Sequence, residues 1–350
     1  MYIEKYCNIS GDHLEFRESF DKYRFGNILT CDRNMLDQLE RIRKIAQSNA
    51  TVIIFGETGT GKELYAEYIH QMSVRKDKRY IKINCATISE SLFESEMFGY
   101  QPGAFTGALK GGKQGIFEIA SGGTIFLDEI SEMSKNNQSK FLRAIQENAF
   151  VKVGGGSETK VDVRIIAASN RELEGMVEEG EFREDLFYRL NVIPVKLTPL
   201  AERKEDIVLL SMAFMDSFNK AYGLNRRMSP QLMETLVDYR WPGNVRELKN
   251  VIERAVLLSS DDLLTRVDLK NSIKSKARQD SKTMPQGNSY FNMEHYSNLG
   301  KSLKEIMGEY EKMVITEYVR RHGSLRKAAK ALQVSPASLS RKMSEYDEKE

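Results

Sequence analysis

A strand, a glycine loop and a helix follow one another between residues 51 and 72, and this succession limits the fold more than any other feature. The segment TVIIF (Thr51 to Phe55) is β-branched, and GETGTGKE (Gly56 to Glu63) follows it directly. The next residues, LYAEYIHQM, carry apolar side chains at helical spacing. This order is the context that a phosphate-binding loop requires, whereas a plain glycine-rich turn before a helix is the alternative. We expect an open α/β domain.

Each part of the loop has an expected task. Its glycines let backbone N–H groups face phosphate oxygens, and Lys62 reaches the β- and γ-phosphates. Position 63 is Glu, where the general pattern has a hydroxyl ligand for Mg²⁺, so the metal must depend more on water and on a second site. The predicted ATP-binding residues of the loop are Gly56, Glu57, Thr58, Gly59, Thr60, Gly61, Lys62 and Glu63.

Two carboxylates provide that second site. In GGTIFLDEI, Thr124 to Leu127 form a predicted buried strand, and Asp128 and Glu129 stand at its carboxyl end, where ligands of open α/β sheets gather. Asp128 is placed to hold Mg²⁺ through water, and Glu129 to polarise the water that attacks the γ-phosphate. An Asp-Glu pair after a strand often only begins the next helix, but together with the lysine loop it favours ATP hydrolysis.

Other candidates follow the next predicted strand, VDVRIIAASN. Asn170 at its end is expected to contact the γ-phosphate or the attacking water, or to be a simple turn residue. Arg183 and Arg189 lie six positions apart and so not on one helical face. Arginine suits charge neutralisation on a transferring phosphoryl group, often from a neighbouring subunit. Surface pairing with nearby acidic residues is the alternative.

The stretch QPGAFTGALKGG, residues 101–112, sets one aromatic residue among four glycines. The glycines argue against a regular helix or strand here. Burial of a Phe contributes roughly 1.5–3 kcal/mol. Phe105 therefore either tucks back into a core or is offered to a partner.

The pattern turns helical from Thr198 to about Asp262. In WPGNVRELKNVIERAVLL, Asn244 is predicted to cap a helix, with Glu247 three residues later. Arg246 then falls in the first turn, where it could reach a nucleotide. A capped surface helix is the alternative interpretation.

The chain end becomes periodic again between Leu303 and Tyr346. Two short helices joined by a tight turn, with Ser335 as an N-cap before Pro336, suggest a helix-turn-helix. Residues 320–342 contain seven Lys or Arg and no Asp or Glu, which suits DNA phosphates. A small dimerisation domain is the alternative. The candidate DNA contacts are Arg326, Lys327, Ser338, Arg341 and Lys342.

Composition sets outer limits on these interpretations. The formal net charge is only +2 over 350 residues, so nucleic acid must be bound by a local patch. Three widely spaced cysteines give no disulfide framework, and no apolar stretch has the length of a membrane span. We therefore expect a cytoplasmic, nucleoid-associated bacterial protein with no membrane partner.

The order of motifs from about Phe25 to about Leu264 resembles the AAA+ ATPases that activate sigma-54 RNA polymerase, the bacterial enhancer-binding proteins. The most specific element is GAFTGA, and Glu63 is what this family normally carries. The resemblance implies an α/β fold, with a parallel sheet sandwiched by helices, an α-helical lid and a small all-α helix-turn-helix domain of the Fis type. It implies that sigma-54 is contacted by Gly103, Ala104, Phe105, Thr106, Gly107 and Ala108.

The resemblance also assigns roles that spacing alone leaves open. Asn84 matches an asparagine that restrains the catalytic glutamate, Ser169 and Asn170 match the first sensor, and Arg246 matches the second. Arg183 and Arg189 match a pair of arginine fingers acting on the adjacent subunit. The catalytic set is then Lys62, Asn84, Asp128, Glu129, Arg183 and Arg189.

The main hypothesis is thus a ring, a hexamer, that uses ATP and Mg²⁺, binds double-stranded enhancer DNA and remodels the sigma-54 polymerase holoenzyme to drive open-complex formation. An AAA+ unfoldase with a DNA-targeting tail and a DNA-binding repressor that uses ATP only for assembly are the alternatives. The expected divisions are a short N-terminal segment (1–22) without a complete sensory domain, the α/β subdomain (23–197), the lid (198–265), a linker (266–302) and the DNA-binding domain (303–350). Segment 1–22 could be a tail, a docking helix or the stub of a lost domain.

Overall fold

The computed structural model describes residues 21–269, 315, 319, 323–331 and 334–347. The chain divides into two compact units, one ending at Ser275 and the other beginning at Lys276. The predicted N-terminal segment up to residue 20 and the predicted linker from residue 270 lie outside the described residues.

Strands and helices alternate through most of the first unit. The strands are β1 (Arg24–Phe25), β2 (Ile28–Leu29), β3 (Val52–Phe55), β4 (Tyr80–Asn84), β5 (Gly99–Tyr100), β6 (Lys113–Gln114), β7 (Thr124–Asp128), β8 (Ala149–Val151), β9 (Glu158–Lys160), β10 (Arg164–Ser169), β11 (Ile193–Lys196), β12 (Arg227–Met228) and β13 (Leu263–Leu264). Among the described residues, the α-helices are α1 (Arg33–Ala46), α2 (Lys62–Gln71), α3 (Glu90–Phe98), α4 (Ile116–Ile119), α5 (Lys135–Glu147), α6 (Leu173–Glu178), α7 (Glu184–Leu190), α8 (Lys204–Tyr222), α9 (Pro230–Asp238), α10 (Asn244–Leu258), α11 (Leu325–Ala331) and α12 (Pro336–Asp347).

The central sheet has five parallel strands in the order β11, β3, β10, β7 and β4. Strand β10 is buried along its whole length. Continuous apolar runs of this kind are typical of strands that are covered on both faces. Because the strands are parallel, the residues that follow them meet along one edge of the sheet.

Helices cover both faces of this sheet. Val52 and Ile54 of β3 pack in a cluster with α1 and α2. Ile53, between them, packs in a second cluster with α3, α5 and α7. Side chains alternate across a strand, so neighbouring residues enter opposite layers. The arrangement confirms the predicted parallel sheet sandwiched by helices.

The helical pattern after Thr198 corresponds to a third apolar cluster, built from α8, α9 and α10. Trp241 is buried in it, and its Nε1 donates a 2.7 Å hydrogen bond to Leu236 O. The cluster also includes partly buried Leu29 and Cys31 from the start of the unit. This helical lid therefore packs against the segment that precedes α1.

The predicted N-cap role of Asn244 is wrong. Helix α10 begins at Asn244 itself, and its cap residue Gly243 makes no side-chain capping bond. Glu247 Oε2 instead accepts a 2.7 Å hydrogen bond from Gly243 N. Asn244 has a left-handed φ of 51° and is fully buried. Its side chain finds partners in distant parts of the chain, which the local pattern does not reveal.

Two short antiparallel hairpins interrupt the α/β alternation. Strand β5 pairs with β6, and β8 pairs with β9. The hairpins are joined, since Tyr100 forms a bridge to Val153 and Gln101 N donates to Val153 O at 3.0 Å. The first hairpin carries residues 101–112 in its loop and leads through α4 into β7. The second leads into β10.

The described part of the second unit contains α11 and α12. Ala328, Ala329, Leu339 and Ile315 form a small buried cluster. Ser335 directly precedes Pro336, the first residue of α12, and its Oγ accepts a 3.1 Å hydrogen bond from Ser338 N. This bond confirms the predicted cap. Among the described residues of both units, no helix has the length and apolar character needed to cross a bilayer.

Candidate functional site

The glycine loop lies between β3 and α2 and turns back on itself at two positions. Gly59 and Gly61 have φ values of 81° and 104°, which glycine adopts readily. Lys62 Nζ donates to Gly56 O at 2.7 Å and to Glu57 O at 3.1 Å. Burial lowers the pKa of the Lys62 ammonium, and nearby carboxylates oppose that shift. The loop and the first turn of α2 thus form a cradle for phosphate oxygens.

Asp128 and Glu129 end β7 beside this cradle. Their charges raise the pKa of Lys62, although burial outweighs them. Asp128 is half-buried, and desolvation raises the pKa of its carboxyl group. Asp128 Oδ1 accepts a 3.0 Å hydrogen bond from Glu129 N, and Glu129 has a left-handed φ of 53°. The turn therefore sends two consecutive carboxylates out from the sheet edge.

Asn84 lies opposite Asp128 in the register of β4 and β7. Its Oδ1 accepts a 2.8 Å hydrogen bond from Ala86 N. Among the described residues, no hydrogen bond links Asn84 to Glu129. Restraint of Glu129 by Asn84 stays a prediction for another state of the site.

The predicted first sensor ends β10. Asn170 is exposed, and its Oδ1 lies 3.4 Å from Ser131 Oγ, a long hydrogen bond. Ser169 is buried, and its hydroxyl is used locally, since it donates to Arg171 O at 2.7 Å and accepts from Arg171 N. Asn170 is thus the one of the two whose side chain lies at the open edge.

Glu63, at the position of the missing hydroxyl ligand, is paired with a lysine. Its Oε1 lies 2.7 Å from Lys82 Nζ on β4, and both side chains are about half exposed. The side-chain hydrogen bond with Glu63 raises the pKa of Lys82. The ion pair gives the Glu63 carboxylate a partner within the protein.

The two candidate arginine fingers stand at opposite ends of helix α7. Arg183 precedes the helix and forms a two-pronged pair with Asp185, with a shortest distance of 2.7 Å. Arg189, in the last turn, donates to Ile145 O at 2.9 Å. Both side chains are exposed. One of the acidic pairings that the sequence allowed is therefore present, and action on an adjacent subunit stays a prediction.

Arg246 lies in the first turn of α10, next to the glycine loop. A Cβ built on Gly59 would be 3.1 Å from Arg246 Cβ and 2.3 Å from Gly243 O. The charge of Arg246 adds to the lowering of the pKa of Lys62. The lid thus brings a guanidinium close to the phosphate cradle.

A cavity of about 250 Å³ opens beside Gly61 and was not predicted. Four separate segments build it, namely β1–β2, the start of α2, α8 with the residue before it, and α10. Its walls are largely apolar, with Ile28, Leu64 and Phe214 among the lining residues. No local sequence pattern could reveal it, because its walls meet only in the folded chain. Its size and apolar walls suit a small, weakly polar group.

The loop of the first hairpin holds Phe105 half-exposed. Its ring is 45% exposed, and it lies edge-on to the buried ring of Tyr100 with centroids 5.0 Å apart. Ala104 packs on the second hairpin, so close that a Cβ on Gly154 would be 2.7 Å from Ala104 Cβ. Leu109 in the same loop is 61% exposed. Phe105 therefore packs one ring edge on a buried aromatic and leaves the rest of the ring exposed, and its contact with a partner stays a prediction.

The basic residues of the second unit lie on the outside of its short helices. Arg326, Lys327 and Lys330 are exposed on α11, whereas Ala328 and Ala329 are buried. On α12, Ser338 and Lys342 are half-buried and Arg341 is exposed. Arg320 and Arg321 lie outside the described residues.

The parallel sheet, the phosphate cradle with its carboxylate edge and the docked helical lid define the AAA+ class of P-loop nucleotide-binding proteins. Family models agree along the chain. The Sigma-54 interaction domain matches residues 28–196, the AAA+ ATPase lid domain matches residues 201–286, and a Helix-turn-helix domain matches residues 300–348. The lid match thus extends past residue 265.

Curated relatives and solved structures support the same family as these models. The chain is 44% identical over 331 residues to Regulatory protein AtoC of Escherichia coli (strain K12), which covers 93% of this chain and 68% of AtoC. It is 41% identical to Nitrogen fixation protein VnfA of Azotobacter vinelandii, covering 93% of this chain and 60% of VnfA. NtrX from Brucella abortus in complex with ADP matches with a TM-score of 0.69 and 31% identity, covering 95% of this chain and 72% of that one. The chain belongs to the sigma-54-dependent transcriptional activators.

Proposed function

We propose that this chain hydrolyses ATP, binds upstream enhancer DNA and remodels sigma-54 RNA polymerase to form the open complex. The observation that carries the proposal is the connection between the Phe105 loop and the nucleotide edge. Strand β6, at the base of that loop, leads through α4 into β7, which ends at Asp128 and Glu129. A change at the carboxylates therefore has a short, packed route to the loop.

In the proposed complex, the phosphates of ATP lie on residues 56–63 and the base enters the cavity beside Leu64. Lys62 exchanges its bonds to two loop carbonyls for the β- and γ-phosphates. Glu129 accepts a proton from the attacking water and orients it. Asn170 and Arg246 contact the γ-phosphate from the sheet edge and from the lid.

The donor set suits Mg²⁺ held mainly through water. Within the described residues, no group of three or more His, Cys, Asp or Glu side chains could hold a metal. Mg²⁺ usually keeps several waters and binds through one or two carboxylates and the substrate phosphates, which fits Asp128 at this edge. Bound there, the ion would neutralise charge on the β- and γ-phosphates. Asp128 is the residue that would hold it.

Assembly into a hexameric ring completes the proposal. The exposed Arg183 and Arg189 would reach the γ-phosphate on the adjacent subunit, where arginine stabilises the developing charge. For Arg183, this requires the pair with Asp185 to open. Asn84 would restrain Glu129 before the ring is ready for hydrolysis.

We also propose the division into the α/β subdomain (23–197), the lid (198–265), the linker (266–302) and the DNA-binding domain (303–350). The exposed basic residues of α11 support phosphate contacts to DNA. Arg341 of α12 and its neighbours Ser338 and Lys342 are the proposed groove-facing residues.

Transcription with purified components tests the proposal. The full chain is combined with the sigma-54 holoenzyme or with the housekeeping holoenzyme, using ATP or a non-hydrolysable analogue. Open complexes are expected only with sigma-54 and hydrolysable ATP. Opening with the analogue, or equal opening with the housekeeping holoenzyme, would refute it.

Removal of residues 303–350 is expected to abolish binding to the enhancer site and to leave ATP hydrolysis within about twofold of the full chain. The basic surface is lost, whereas the cradle and carboxylates belong to the other unit. A mobility-shift titration with site-containing and scrambled DNA measures the binding. A milder variant, Arg326→Ala with Lys327→Ala, should reduce the salt dependence of binding by roughly two phosphate contacts. Site-specific binding by the truncated chain would show that the DNA-binding residues lie elsewhere.

A further inference from the structure

The lid donates hydrogen bonds to consecutive residues of the phosphate loop. Asn244 Nδ2 lies 2.9 Å from Glu57 Oε2 and 3.2 Å from Thr58 O. Val245 N donates to Gly59 O at 3.0 Å. These contacts join the first turn of α10 directly to the outer side of the loop.

Another lid residue, Arg203, donates a hydrogen bond to the next residue of the loop. Arg203, just before α8, donates from Nη2 to Thr60 O at 3.2 Å and from Nη1 to Asp206 Oδ2 at 3.2 Å. Arg203 and Asp206 are both buried. Asp206 in turn accepts hydrogen bonds from Thr30 Oγ1 at 2.7 Å and from Cys31 N at 2.7 Å. The guanidinium is therefore held in place by the segment that precedes α1.

These donors provide hydrogen bonds that the backbone carbonyls of the loop need. When backbone N–H groups face phosphate, the carbonyls of the same peptides face outward, and buried carbonyls need donors. Lys62 Nζ donates hydrogen bonds to the carbonyls of Gly56 and Glu57 from inside the loop. The lid donates hydrogen bonds to the next three carbonyls, those of residues 58, 59 and 60.

The orientation of the Asn244 amide is determined by its surroundings. Asn244 Oδ1 lies 2.7 Å from Leu200 N, which can only donate, so Nδ2 must face Glu57 and Thr58. The backbone is equally close, since a Cβ on Gly59 would lie 2.3 Å from Gly243 O. The backbone of the lid therefore lies against the loop with no room for a side chain at position 59.

We propose that Asn244 and Arg203 are positioning residues: their hydrogen bonds hold the phosphate loop in its binding conformation from the lid side, so that nucleotide affinity depends on them. This role is separate from phosphate contact by Arg246. It rests on the proposed function only in taking a nucleotide as the ligand of the loop. By reciprocity, a bound nucleotide strengthens lid docking by the same factor as docking strengthens nucleotide binding.

The variant Asn244→Asp tests the donors without changing size. It keeps an oxygen for Leu200 N but sets a carboxylate against Glu57 and the carbonyl of Thr58. We expect ADP to bind the full chain about tenfold more weakly, or worse, by titration calorimetry. The control is Asn148→Asp, because Asn148 also has a left-handed φ, of 49°, but is exposed at the end of α5. The control should bind ADP like the wild type.

Rescue separates positioning from general damage. Adding Glu57→Gln to Asn244→Asp supplies an amide that can donate to the new carboxylate, and it should recover about threefold or more of the lost ADP affinity. A merely structural defect would not respond to Glu57. Unchanged affinity in Asn244→Asp, or no recovery in the double variant, would overturn the proposal.

A measurement on the wild-type chain covers the case in which the variant does not fold. ADP should slow hydrogen exchange of the backbone amides in the segment from Trp241 to Glu247, which includes the Val245 donor. Exchange in that segment that ADP leaves unchanged would contradict the coupling. Polymerase takes no part in these measurements, so failure of the wild type to open promoters would refute the proposed function and leave this inference standing.

Discussion

The Glu129→Gln variant should bind ATP with wild-type affinity and hydrolyse it about 10²- to 10⁴-fold more slowly. The amide keeps the size of the side chain but cannot accept a proton from the attacking water. Glu129 follows Asp128 at the end of β7, and its left-handed backbone directs it away from the strand. In the proposed complex, binding depends on Lys62 and the loop amides, which the substitution does not change. Phosphate release and calorimetric titration with ATP measure the two properties.

A neighbouring carboxylate provides the control for this experiment. Glu132 is exposed in the short turn after β7, so Glu132→Gln removes the same charge from the same region. It should retain turnover within about twofold of the wild type, since surface substitutions usually have small effects. Normal hydrolysis by Glu129→Gln would remove Glu129 from its assigned role.

Thr106→Ala is expected to abolish open-complex formation with sigma-54 while ATP hydrolysis and DNA binding stay within about twofold of the wild type. Thr106 is exposed in the loop of the first hairpin, next to Phe105. It belongs to neither the phosphate cradle nor the basic surface. Loss of its hydroxyl and methyl groups therefore changes only the surface that we propose contacts the polymerase. Permanganate footprinting of the promoter, alongside a phosphate-release assay, measures both outcomes.

Lys110→Ala is the matched control, because Lys110 is exposed in the same loop but outside the six-residue motif. It should retain most of the promoter opening. Full opening by Thr106→Ala would refute the proposed role of the motif. Loss of hydrolysis in the same variant would instead show that the loop is part of the ATPase machinery.

The nucleotide edge could be predicted because its signals are local. A strand followed by glycines and a lysine, and a second strand followed by two carboxylates, each identify their own place in an α/β fold. Parallel strands then bring Lys62 and Asp128 to one edge without further information. The sandwich of helices around the sheet followed from the same alternation.

Features assembled from distant segments could not be predicted in this way. The cavity beside Gly61 needs walls from four segments. The Arg203 to Asp206 pair resembles an ordinary surface pair in the sequence, yet it is buried and anchored by Thr30. Asn244 followed the capping pattern, but its tertiary partners and left-handed backbone gave it a different task.

The hairpins were also beyond sequence prediction, for a different reason. Strands β5 and β6 have two residues each, too few for any periodicity. The glycines around Phe105 predicted an irregular loop but not the second hairpin that packs against Ala104. Only the folded chain shows that the Phe105 ring packs against Tyr100.

The contact that holds the Phe105 ring on Tyr100 is weak. An edge-to-face aromatic pair such as Phe105 on Tyr100 is worth about 0.5–1.5 kcal/mol beyond its buried area. With the roughly 1 kcal/mol added by burial of about half of the Phe105 side chain, the contact leaves on the order of one molecule in thirty with the ring released before any nucleotide binds. A free-energy change of about the size of two hydrogen bonds would make the packed and the released states equal in population. A small part of the free energy of ATP binding would therefore be enough to release the ring.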